Sequence, residues 1–113
     1  MEVPRAWPLS EARRAAQTII TGQLGILEGC IDLAALSHEI VPDWRIDPDF
    51  VVFGAVASET HDWPFGEVRK LWSDNALAKA DAAAARLAER WRVKVLRACE
   101  NILRRFPDTG VAP

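Results

Sequence analysis

The sequence predicts an all-α protein, a bundle of four to five helices with a long C-terminal helix as its spine. Three observations carry this expectation. From Leu77 through Ala80, Ala84, Leu87, Trp91, Val95, Ala98 and Ile102 to Phe106, apolar residues recur every three or four positions, the period of one helix face. Ser10, Asp47 and Ser73 stand just ahead of apolar periodic segments, where a side-chain oxygen can satisfy the orphan N–H groups of a first helical turn. The one run with β propensity, Phe50 to Val56, is introduced by Asp47-Pro48-Asp49, which reads as a helix start and outweighs the propensity.

A chain of 113 residues supports one hydrophobic core, so residues 1–113 are expected to form a single domain. Half of it is apolar and 27% is charged, a balance that excludes a disordered chain. The N-terminal Met-Glu-Val-Pro-Arg-Ala-Trp-Pro-Leu lacks the apolar stretch of a secretory signal. No apolar run reaches the roughly 18 residues of a membrane helix, so a cytoplasmic location without membrane contact is expected. Cys30 and Cys99 lie among apolar neighbours, where free thiols act as small hydrophobes.

Taken in order, residues 1–9 read as a flexible arm. Ser10 then caps a first helix over residues 11–21, which Gly22 ends. Residues 25–40 form a second helix that is apolar on most sides, and Gly29 within it implies a close approach by another part of the chain. Its one polar stripe is Glu28, Asp32 and Glu39, and Pro42 stops it. Asp47, as N-cap, opens a short buried helix from Phe50, and Pro64 opens another helical turn that runs to Trp72. Residues 74–106 follow as one helix of about 45 Å at 1.5 Å per residue, unless the alanine block breaks it near Ala82 to Ala85. Residues 107–113 read as a flexible tail.

Charge divides the chain. Residues 1–62 hold 10 acids and 4 bases, a net of −6, and residues 63–113 hold 6 acids and 10 bases, a net of +4. The two parts should attract, within one molecule or across a pair. Lys79, Arg86, Arg90, Arg97 and Arg104 form a basic stripe on the last helix, with Lys94 and Arg105 beside it. The overall acidity and the lack of a nucleic-acid motif make nucleic acid an unexpected partner.

The densest mixture of ionisable, aromatic and backbone-special residues runs from Phe50 to Trp72. Glu59, His61, Asp62, Trp63, Arg69 and Trp72 are the candidate binding surface there. Glu59 and Arg69 are expected to pair across the Trp63-Pro64 turn and lock it. Glu59, His61 and Asp62, with His38 and Glu39 brought in from the second helix, are also weak candidates for a divalent-metal site. The loose spacing has no His-Glu-x-x-His or Cys-x-x-Cys core, so no metal, cofactor or catalytic residue is expected.

At Ile31 to Leu36, and again at Ser58-Glu59-Thr60 through Pro64, Gly66-Glu67-Val68-Arg69, Leu71-Trp72-Ser73 and Ala76-Leu77, the chain resembles a family of small uncharacterised bacterial proteins. The likeness covers about residues 15–103. Members form a domain of unknown function, so the resemblance implies a bacterial source, marks the central stretch as the hallmark and brings no activity with it. The expected function is a non-enzymatic protein-interaction module, pairing with itself as a homodimer through the C-terminal helix and with another bacterial protein. The alternative is a metal-dependent hydrolase of a phosphoester or nucleotide that uses the Glu59-His61-Asp62 corner.

Overall fold

Four α-helices and two short 3₁₀ turns account for the regular structure of residues 6–107, the part described by this computed structural model; no strand occurs among the described residues. The helices are α1 (Ala6–Ile20), α2 (Ile26–Ser37), α3 (Phe50–Glu59) and α4 (Asp74–Arg105). One 3₁₀ turn, Trp44–Ile46, precedes α3, and the other, Gly66–Leu71, precedes α4.

Helix α1 begins well before the expected cap at Ser10, and Ser10 lies inside it. Pro8 is no obstacle, because it sits in the first turn, where backbone N–H groups have no partner inside the helix. The expected arm over residues 1–9 is therefore helical from Ala6, and its residues 1–5 lie outside the described residues, as do residues 108–113 of the expected tail. Ala12, Ala16 and Ile19 face the core.

Helix α2 stops at Ser37 rather than near residue 40. The Ser37 hydroxyl donates to the Ala34 carbonyl at 2.7 Å, and the chain turns as the N–H groups of Ile40 and Val41 both bond the Ser37 carbonyl. Glu39 thus lies beyond the helix, and the acidic stripe shrinks to Glu28 and Asp32. Burial of Ile26, Leu27, Gly29, Cys30 and Leu33 makes α2 a core helix, as its broad apolar surface implies. What crowds Gly29 is the Ile19 side chain of α1, which a Cβ at Gly29 would overlap.

The entrance to α3 follows the sequence closely. The Asp47 carboxylate accepts the N–H groups of Asp49 at 2.9 Å and Phe50 at 3.0 Å, while its carbonyl takes the Val51 N–H, so Asp47 caps the helix as expected. Phe50 and Phe53 are fully buried and meet edge to face at 5.7 Å. Gly54 lies against the Trp44 ring so closely that any side chain there would collide with it.

Helix α4 is unbroken through the alanine block. Ser73 caps it by accepting the Ala76 N–H at 3.1 Å, and Arg13 of α1 donates to the carbonyls of Leu103 and Phe106 at its far end. α2 packs chiefly on α3, and α1 on α4. The molecule measures 51 × 27 × 26 Å with a radius of gyration of 15.2 Å, above the about 13 Å usual at this length, because α4 outruns the body. Its apolar stripe is nonetheless covered from within: Ala84, Val95, Ala98 and Ile102 are buried in the core. Leu77, Ala80, Leu87, Trp91 and Phe106 of the same stripe stay half-buried.

The acidic and basic parts of the chain meet inside the molecule. Arg105 of α4 bonds Asp47 at 2.7 and 2.9 Å and Asp49 at 2.8 Å, and Asn101 donates to Asp49 at 2.9 Å. Both carboxylates are nearly buried. Burial alone would raise the Asp47 carboxyl, but the hydrogen bonds from Arg105 and from the Phe50 and Asp49 N–H groups hold it below its usual value.

Candidate functional site

The corner between α3 and α4 is built by a sequence of local devices. Thr60 ends α3: its N–H reaches the Val56 and Ala57 carbonyls, its hydroxyl donates to Ala57 at 3.0 Å, and its own carbonyl accepts the Trp63 N–H at 2.9 Å. Pro64 is buried, Phe65 is extended, and Gly66 adopts φ +59°, a left-handed conformation that favours glycine. The expected helical turn from Pro64 is accordingly delayed to the 3₁₀ turn at Gly66.

Asp81, on the second turn of α4, holds the corner in place. It accepts two parallel bonds from Arg69, at 3.0 and 2.7 Å, and a third from the Trp63 indole N–H at 3.0 Å. Arg69 also donates to the Pro64 carbonyl at 3.3 Å, so one guanidinium ties the turn to the helix. The bonds from Arg69, then from Trp63, lower the Asp81 carboxyl to about 2. Trp63 packs edge to face on Phe65 at 4.4 Å.

This arrangement corrects the expected Glu59–Arg69 pair. Glu59, on the last turn of α3, points to the other side of α4 and lies 3.9 Å from Arg90. Asp81 escaped the sequence reading, although it is the only acid between Ala76 and Ala88 and adjoins the apolar stripe at Ala80 and Ala84. A lone carboxylate on the edge of a buried stripe was the available signal.

The weak metal candidates do not converge. His61 places Nδ1 3.1 Å from the Ser58 carbonyl and Nε2 3.2 Å from the Asp62 carboxylate, and both side chains are exposed. Among the described residues no three His, Cys, Asp or Glu side chains group closely enough to hold an ion. His38 and Glu39 are exposed in the turn after α2 and join no such group.

Two recesses flank Trp63. One, of about 500 Å³, is lined by Glu28, Trp63, Phe65, Gly66, Arg69 and Asp81. The other, of about 230 Å³, has Ala80, Ala83, Ala84 and Leu87 as an apolar floor and Glu59, Thr60 and Asp62 on its rim. Beside them the 3₁₀ turn leaves Leu71 84% exposed, Val68 44% and Trp72 38%. Of the six candidate surface residues, Trp63 and Arg69 are thus spent on holding the corner. Glu59, His61, Asp62 and Trp72 face solvent.

The class defined by this fold is an all-α protein whose long last helix is tied to the preceding helix by an Arg-Asp-Trp corner. The chain belongs to the family described as a protein of unknown function, DUF2489, which it matches over residues 9–102. That span contains the buried apolar core from Ala12 to Ile102 and the whole corner. No curated protein and no solved structure matches the chain significantly. No helix among the described residues is long and apolar enough to cross a membrane.

Proposed function

We propose that this chain is a non-enzymatic protein-interaction module that engages another protein through the corner before α4. The observation that carries the reading is the exposure of Val68 and Leu71 on one short 3₁₀ turn and of Trp72 directly after it. Single exposed apolar residues are ordinary, whereas a leucine and a tryptophan side by side on a fixed turn form the kind of anchor that protein interfaces use. The ion pair of Arg69 with Asp81 fixes the turn on α4, which reduces the entropy lost on binding. His61 and Asp62 supply polar groups on the adjoining turn.

The test is capture from the cells that express the protein, with purified wild type and with Leu71→Glu and Trp72→Glu as baits. One protein bound saturably by wild type and lost from both variants, with their helical circular dichroism unchanged, is the expected result. Equal capture by all three baits, or saturable turnover of a phosphoester by the purified chain with no partner recovered, would overturn the reading.

A further inference from the structure

Helix α4 turns a second surface outward, away from the corner's apolar turn. Opposite its buried residues Ala84, Val95, Ala98 and Ile102, the helix exposes Lys79, Arg86, Arg90, Arg97 and Arg104, with Glu89 and Glu100 interspersed. Glu89 is already engaged by Arg92 at 2.6 Å. The α4 cations in ion pairs among the described residues are Arg90, Arg92 and Arg105, which leaves Lys79, Arg86, Lys94, Arg97 and Arg104 outside them. In the middle of this basic face Val93 is 68% exposed. A phosphate backbone has no use for an apolar centre and is repelled by the two acids; an amphipathic protein surface of opposite charge suits both features.

Such a surface exists elsewhere on the same chain. Between α1 and α2 a groove of about 360 Å³ is lined by Trp7, Glu11, Arg14, Leu24, Asp32 and Leu36. Glu11 and Arg14 neutralise each other at 2.8 Å, so the charge left in the groove is that of Asp32. Glu28, one turn back on the same helix, belongs instead to the recess beside Arg69. Asp32 takes part in no ion pair among the described residues. Partial burial, then the like charge of Glu28, raises the Asp32 carboxyl, the sign of a carboxylate that lacks a cation. Trp7, 61% exposed at the rim, offers a ring face on which a guanidinium can stack.

We infer that the basic outer face of α4 docks into the α1–α2 groove of a second copy of this chain. Arg86 and Arg97 supply the cations for Asp32, and Val93 meets the apolar floor at Leu24 and Leu36. Helix-in-groove packing of this kind reads as anchors spaced by helical turns. The contact uses neither Leu71 nor Trp72, so it stands or falls separately from the partner site at the corner.

Light scattering after gel filtration of the full chain tests it at about 20 mM and at about 500 mM salt, where exposed charges are strongly screened. Wild type should show a mass above 12.6 kDa at low salt and 12.6 kDa at high salt. The doubly substituted Arg86→Glu/Arg97→Glu chain, and separately Asp32→Arg, should stay at 12.6 kDa under both conditions, and the chain carrying all three substitutions should regain the larger mass. Leu71→Glu should behave as wild type. A wild-type mass of 12.6 kDa at low salt, a larger mass insensitive to the swaps, or no recovery in the threefold variant would overturn the proposal. So would salt-dependent binding of a single-stranded oligonucleotide by a monomer, lost in Arg86→Glu/Arg97→Glu.

Discussion

At the scale of single residues, the chain spends its few buried charges on joining distant segments. Asp47 serves twice, capping α3 with one set of bonds and holding Arg105 of α4 with another. The cap was legible in Asp47-Pro48-Asp49, because capping is local and leaves a local pattern. The partner was not, since Arg105 lies 58 positions away and its sequence neighbours show only another basic residue at a helix end. Removing Arg105 leaves two nearly buried carboxylates without their cation. Breaking a fully buried pair costs about 3 to 5 kcal/mol, and Arg105→Ala should cost less, about 2 to 3 kcal/mol, because the Arg105 side chain keeps 33% of its exposure. The folded Asp47 carboxyl lies below its ordinary 3.8, so this stabilisation is present above that pH and is lost as pH falls through the lower folded value. Urea unfolding should therefore show a gap between wild type and Arg105→Ala that is full at neutral pH and shrinks in acid below about 3.8. A gap unchanged by acid would assign the loss to packing.

At the scale of elements, helix type was easier to read than helix ends. The stripe from Leu77 to Phe106 repeats often enough to define α4, and the β-branched run at Phe50 folds as helix because its cap and its buried phenylalanines prevail over propensity. The start of α1 was misplaced by reading Ser10 as its cap, although the helix already begins at Ala6 and a first-turn proline costs it nothing. The end of α2 was misplaced because Ser37 closes the helix with its own hydroxyl before Pro42 is reached. Continuity of α4 across Ala82 to Ala85 is a claim about the backbone, and an exposed position there isolates it. Ala82→Gly should lower stability by about 1 kcal/mol, the cost of glycine inside an exposed helix. A helix broken at that point would tolerate the glycine without loss.

At the scale of the whole molecule, one long helix serves three neighbours at once. Its inner face completes the core, its early turns carry Asp81 and hence the corner, and its outer face remains basic. The corner was visible in the sequence as a concentration of unusual residues, but its wiring was not. The pairing of Arg69 with Asp81 instead of Glu59 depends on which side of α4 the chain crosses, a three-dimensional fact that spacing does not encode. The same crossing separates Glu59 from His61 and Asp62 in use. Leu71 and Trp72 stand exposed beside the solvent-facing Glu59, His61 and Asp62.

Comparing Trp72→Glu with His61→Ala for affinity toward the captured partner therefore tests the corner most directly. Trp72→Glu should weaken binding by tenfold or more, equivalent to at least about 1.4 kcal/mol, while His61→Ala should bind within a few-fold of wild type. Full affinity in Trp72→Glu together with loss in His61→Ala would contradict the apolar anchor and place recognition on the polar turn.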